Sequence, residues 1–205
     1  MGQFNASTTT FLFIRHAQTI WNQEQRHTGS SEVALSKEAD HQISILTRKL
    51  LDLPIAALYT SPLSRCQLTI HPLAEILQVE PIVRDDLKER HLGSWEGQSP
   101  KELAPEHPGY HFPESAYNGD FRIPGAEPLE QLEGRIRDFI QELHGKHSGK
   151  TIAVSTHSGV IWTLQHRIVR NPPDTFIWPG NCSITTVTYD GRHFVLDAIE
   201  RIIFT

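Results

Sequence analysis

The chain has 205 residues, 38% of them hydrophobic and 21% charged, ordinary values for a folded protein with a sizeable core. A formal net charge of −5 argues against the broad basic face that nucleic acid requires, yet it leaves room for a local basic pocket. Two cysteines, Cys66 and Cys182, with no C-x-x-C spacing, supply neither a disulfide framework nor a metal or redox motif.

The polar opening MGQFNASTTT lacks the charged start and apolar run of a signal peptide, and no apolar run approaches the ~20 residues of a membrane helix. A reducing, cytoplasmic setting is expected, with neither membrane nor nucleic acid as partner. Residues 11–14 (FLFI) read as a short buried strand that runs into Arg15-His16. Residues 36–51 carry Ile43, Leu46, Leu50 and Leu51 at helical spacing, with Pro54 just beyond. A second strand is expected at 55–59. A helix follows from about Ser61 with Pro62 in its first turn, and His71-Pro72 is a place for a kink or split. Residues 80–84 suggest another strand.

Residues 93–129 differ in kind. They are dense in Pro, Gly and aromatics and read as a lid or insertion, with one short helix near 100–103. A strong helix is expected over 129–143, with Leu132, Ile136, Phe139, Ile140 and Leu143 on one face. Residues 151–155 give another buried strand, 160–169 another helix, and SITTVTYD with HFVLDAIE a late strand pair. The alternation predicts a single α/β domain over 1–205, a three-layer sandwich with a mostly parallel central sheet and helices on both faces.

In open α/β sheets ligands bind beyond the carboxyl ends of strands. Three strands here end in chemistry: Arg15-His16 after the first, Thr60-Ser61 with Arg65 a turn later, and Thr156-His157-Ser158 after 151–155. Two arginines, two histidines and two helix N-termini facing one crevice would suit a phosphate, since guanidinium binds its oxygens bidentately and helix ends add N–H donors. Taken singly, each residue has a plainer reading: a strand-end histidine held by structural hydrogen bonds, an arginine paired at a sheet edge, a solvated loop carboxylate at Glu89. Arg65 is the hardest to read so, because a cation in a helix's first turn opposes the dipole and needs a compensating group.

These residues fall in six segments that resemble one family in order. RHAQTIWN resembles R-H-G-x-S/T-x-x-N, and TGSSEVALSKEA resembles T-G-x-x-D-x-P-L-T-x-x-G. SPLSRCQLT resembles S-x-L-x-R-A-x-Q-T, and LKERHLGSWEG resembles L-x-E-x-x-x-G-x-W-E-G. VSTHSGVI resembles V-x-x-H-G-G-V-I, and NCSI the late N-x-S-I element. Together they resemble the histidine phosphatase superfamily, in its phosphoglycerate mutase-like branch. The resemblance implies that His16 is the nucleophile and forms a phosphohistidine. It implies that Arg15, Arg65 and His157 hold the phosphoryl group with Asn22 as a further donor, and that Glu89 is the general acid and then base. Thr28 and Gly29 match positions that touch substrate, and Ser158, which stands where the pattern has glycine, is expected to add a substrate contact through its N–H and hydroxyl. No metal and no cofactor are implied, and the partner is a small phosphorylated metabolite.

The chain departs from the pattern at Ala17 and Ser158, which replace glycines, at Glu32 and Ala34, which replace Asp and Pro, and at 124–128, where PGAEP stands for P-G-G-E-S. His107 and His111, parted by Pro108-Gly109, and His144 and His147 near a helix end are not expected to bind metal. Trp95 is expected to anchor its loop. Tyr110, His111, Phe112, Tyr117 and Phe121 either line a substrate mouth or pin the segment. Three functions are compared. The first is a phosphatase on small metabolites, the second a phosphoglycerate mutase, and the third a phospho-ligand binder without turnover. Lys101 and Arg122 are the only Lys/Arg between the WEG element and residue 129, too few for the second anion of a mutase, and His16 and Glu89 are both present, so phosphatase is the preferred reading. Candidate substrates within the resemblance include sugar phosphates, phosphoglycerates, phosphoserine and α-ribazole phosphate.

Overall fold

The computed structural model describes residues 8–169 and 178–201. The strands are β1 (Thr9–Arg15), β2 (Ile55–Thr60), β3 (Ile82–Val83), β4 (Thr151–Thr156), β5 (Ile184–Tyr189) and β6 (Phe194–Glu200), in one sheet of order β3-β2-β4-β1-β5-β6. The first four strands of that order pair in parallel, and β5 and β6 run antiparallel at the other edge. The helices are α1 (Ile20–Gln23), α2 (Ala39–Leu51), α3 (Ser64–Leu77), α4 (Pro100–Leu103), α5 (Leu129–His147) and α6 (Ser158–Thr163).

Strand side chains alternate, so β1 feeds two cores. Phe11 and Phe13, with Ile152 and Val154, pack on Leu132, Ile136, Phe139, Ile140 and Leu143 of α5 and on Val160 and Ile161 of α6. Leu12 and Ile14, with Leu58 and Ala153, pack on Ile43, Leu46 and Leu50 of α2 and on Ile70 and Leu73 of α3. Coverage on both faces explains why β1 and β4 are buried along almost their whole length, with apolar runs at 11–14 and 152–154 rather than an alternating pattern. Among the described residues no helix is long and apolar enough to cross a membrane.

Several boundaries differ from the expected ones. Helix α3 begins at Ser64 instead of near Ser61, because the Ser61 amide donates to Ser155 O at 3.0 Å and extends the sheet by one residue. Pro72 lies inside α3 without splitting it; the carbonyl it leaves unpaired belongs to Leu68, which is 51% exposed and open to water. The strand at 80–84 contracts to two exposed residues, and α5 runs on to His147. The last helix starts at Ser158 and widens at Thr163 into a π-helical turn, Leu164–Ile168.

Residues 93–129 contain the expected short helix as α4, framed by single 3-10 turns at Gly93–Trp95 and Glu114–Ala116. Together with Leu92 they build a third cluster from Trp95, Leu103, Ala116, Tyr117 and Ile123 against Trp162 of α6. Trp95 is buried at its centre, edge-on to Tyr110.

Candidate active site

Register places the chemistry. Arg15 pairs with Thr156 across β1 and β4, and Thr60 pairs with Ser155 across β2 and β4, so all three strands end at one level. Residues just past those ends meet in a cavity of about 220 Å³ lined by Arg15, His16, Asn22, Thr28, Gly29, Arg65, Glu89 and Ser158 among others. All the expected site residues but His157 line it.

His16 is nearly fully buried, and its Nδ1 lies 2.7 Å from Ala17 O. A carbonyl can only accept, so Nδ1 carries the proton and Nε2 holds the free lone pair. Burial first, then the charges of Arg65 and Arg15, hold the imidazole well below the usual histidine range, so it is neutral at pH 7. Ala17 does not adopt the left-handed backbone that would demand glycine; its amide donates to Thr69 Oγ1 at 2.8 Å.

Arg65, on the first turn of α3, is completely buried. Its Nη1 donates to Ser31 O at 2.7 Å, its Nη2 to Gly29 O at 2.8 Å and its Nε to His157 Nδ1 at 3.3 Å. Two carbonyls thus compensate the cation that sits against the helix dipole, and two of its five N–H groups remain for a ligand. Gly29 must be glycine, since its φ is +54° and a Cβ would run into the Glu96 carboxylate. That carboxylate accepts from the amides of Ser30 and Leu92, both at 2.9 Å, and pins the loop that presents the carbonyls. Arg15 is held by Pro179 O at 2.6 Å, while its buried Nε has no partner among the described residues. Burial brings the Arg15 guanidinium down to about 10, which leaves it charged at neutral pH.

His157 stands beside His16, ring centroids 5.3 Å apart, but does not line the cavity. Its Nδ1 accepts from Arg65, so Nε2 carries the proton and donates to Ser61 Oγ at 2.8 Å. The two helix N-termini also differ from expectation, because protein carboxylates already occupy them. Glu32 accepts from Ser64 N and Oγ at the start of α3, and Glu89 accepts from Gly159 N at 2.9 Å on α6. Glu32, one of the departures from the family pattern, is thus a helix cap.

Glu89 is buried against the cavity and also accepts from Arg90 N at 2.9 Å. Burial raises its pKa above the ordinary carboxylate value despite the two amides. The Ser158 hydroxyl lies 3.5 Å away. The Tyr117 ring and the Glu89 carboxylate close so tightly on Gly159 that no Cβ fits there. Asn22 Oδ1 accepts from Thr19 N and from Asn181 Nδ2, each at 3.1 Å, so its amide nitrogen is what remains for a ligand.

The sequence reading named Ser61 at a strand end without giving it a role and passed over Asn181, although it stood inside a quoted segment. Asn181 donates to His16 O at 3.0 Å and so ties the late N-x-S-I element to the end of β1. Among the aromatic candidates the outcome is divided. Phe112 and Tyr117 line the cavity, whereas Tyr110 and Phe121 pack on Trp95. His144 and His147 are engaged by Thr9 Oγ1 at 2.9 Å and Tyr59 OH at 2.8 Å. Of residues 124–128, Glu127 is paired with Arg135, and the segment borders a second, open cavity that shares Glu89 with the first.

The family model of the histidine phosphatase superfamily, branch 1, matches residues 11–201. The chain belongs to this superfamily. It is 31% identical over 197 residues to a metal-independent phosphoserine phosphatase of Arabidopsis thaliana, covering 94% of this chain and 82% of that one. It is 32% identical over 159 residues to phosphoglycerate mutase-like protein 4 of the same plant, covering 76% and 69%. Among solved structures, a mycobacterial glucosyl-3-phosphoglycerate phosphatase superposes with a TM-score of 0.80 at 22% identity, covering 93% of this chain and 97% of that one, a likeness of fold.

Proposed function

We propose that this histidine phosphatase hydrolyses small phosphomonoesters through a phosphohistidine on His16, with no metal ion. The observation that carries the reading is the neutral, buried His16 imidazole, its Nδ1 held by Ala17 O at 2.7 Å, in one cavity with Arg15, Arg65 and Glu89.

His16 Nε2 attacks phosphorus as the ester P–O bond breaks. Protonated Glu89 gives its proton to the departing alkoxide, a step that its raised pKa favours. The charge gained by the ring is stabilised through Nδ1–H by Ala17 O. Water then attacks the phosphohistidine, Glu89 takes its proton, and His16 is released with inorganic phosphate. Arg15 and Arg65 neutralise the equatorial oxygens throughout and supply the positive field otherwise asked of a cation. His157 joins them by exchanging its Ser61 contact for a phosphoryl oxygen. Asn22, Thr28, Gly29 and Ser158 surround the ester, and residues 93–129 cover it.

The mutase alternative needs a second site for anions. Arg122 lines a different cavity, with Arg90 and Glu130, which supports transfer to water. A cytoplasmic setting fits the two buried, free thiols of Cys66 and Cys182. The test is rapid quenching during turnover of a phosphomonoester in EDTA, followed by peptide mass spectrometry. Acid-labile phosphate on the peptide holding His16 is expected. Turnover without it, or activity lost to the chelator, would overturn the mechanism.

A further inference from the structure

We infer that the alcohol half of the substrate is uncharged, with hydroxyls on one edge and an apolar or ring face on the other, and that alcohols bearing a carboxylate or second phosphate are poor substrates. The inference rests on the phosphatase reading and deepens it.

The phosphate itself uses the available positive charge. Arg15 and Arg65 bring two charges, which match a phosphate dianion. Beyond them, the described cavity wall holds Arg26 as its only other arginine or lysine. Arg26 is already neutralised, since its Nε donates to Glu24 at 2.8 Å and its Nη1 to Glu102 at 3.1 Å and to Gly97 O at 2.7 Å. Two carboxylates around one guanidinium leave that rim negative. His27, also on the wall, bonds through Nε2 to Tyr110 OH at 2.8 Å, and burial brings it down to about 4, so it adds no charge at neutral pH. Lys101 does not line the cavity, and Arg122 borders another. A carboxylate on the leaving alcohol would therefore lose water without gaining an ion pair, a costly burial.

What the wall does offer is of two kinds. Asn22, Gln25, Thr28 and Asn181 are neutral groups suited to hydroxyls, and Phe112, Pro113, Tyr117 and Trp178 give apolar and aromatic surface. That combination is complementary to a polyol, sugar or similar neutral ring and not to an acid.

The test compares esters that differ by one carboxylate. Glycerol 3-phosphate is set against 3-phosphoglycerate, and phenyl phosphate against 4-carboxyphenyl phosphate, where the carboxylate also makes a better leaving group and so works against the inference. At least a tenfold higher kcat/KM for the neutral member of both pairs is expected. The double variant Glu24→Gln/Glu102→Gln, which keeps the Gln-compatible capping box at Ser99, unmasks Arg26. It should raise kcat/KM for the carboxylated members several-fold and leave the neutral members unchanged, their rate reporting intact folding. Equal or inverted preference in the wild type, or a double variant that changes both members alike, would overturn the inference. If no ester is turned over, or turnover survives His16→Ala, it is the phosphatase reading that fails.

Discussion

The cavity has a floor and a mouth, and they are built by different means. The floor lies where β1, β2 and β4 end in register, and backbone carbonyls hold its nitrogen-bearing side chains: Ala17 O for the neutral His16, Pro179 O for Arg15, Gly29 and Ser31 O for Arg65. The mouth combines residues 22–28, Trp178 and Asn181 with Phe112, Pro113 and Tyr117 of the segment 93–129, which has almost no regular structure and is fixed by rings packed on rings around Trp95. A carbonyl at a strand end offers one position for a charged group, whereas a packed ring accepts other apolar shapes. The contrast therefore suggests that reaction chemistry resides in the floor and substrate choice in the mouth.

The sharpest way to break that division is at the floor. His16→Ala should lower kcat on p-nitrophenyl phosphate by on the order of 10⁴-fold or more, with circular dichroism unchanged. A loss below tenfold would remove His16 as nucleophile. Glu89→Gln should cost about 10²–10⁴-fold on alkyl phosphates and less than about tenfold on activated aryl esters, which need little protonation. The sign with pH follows from the raised pKa. The proposed first step uses the protonated carboxyl, so alkyl-ester kcat/KM should fall as pH climbs through that value, and aryl-ester kcat/KM should not fall there. Arg65→Lys should reduce kcat/KM by about 10²-fold, because an ammonium cannot replace a fork that binds two carbonyls and a histidine and, in the proposed reaction, a phosphate as well.

Two aromatic substitutions sharpen the comparison. Phe139→Ala removes a fully buried ring between α5 and the sheet and should cost about 3–5 kcal/mol in denaturant melts. Phe112→Ala, on the cavity wall, should change KM several-fold while stability moves by less than about 1 kcal/mol. If Phe112→Ala instead unfolds the protein, the mouth is as structural as the floor. The smallest effect is a stability one. A carboxyl whose pKa rises on folding binds more protons folded than unfolded, so stability declines as pH rises from the unfolded value near ~4.3 to the folded one. Glu89→Gln should remove that decline and melt above the wild type at pH 8 but not at pH 4.

Much of the floor was legible in the chain. Apolar runs that stop at Arg15-His16, Thr60-Ser61 and Thr156-His157 locate three strand ends, and the spacing of Leu132, Ile136, Phe139, Ile140 and Leu143 locates α5. Local sequence carries this information because strand and helix periods are local properties. The orientation of His157 toward Ser61 was not legible, nor was the capping of α3 and α6 by Glu32 and Glu89. Each depends on which polar partner a buried group finds across the fold, and the pairs lie far apart in sequence.

By itself, then, the sequence determined the elements, the order of the motifs and the kinds of side chain available at each strand end. Only tertiary structure decided that Phe112 and Tyr117 face the cavity while Tyr110 and Phe121 do not, and that Arg26 is neutralised by Glu24 and Glu102. The physical reason is that burial and pairing set the effective charge of a side chain, and both are properties of neighbours brought together by folding.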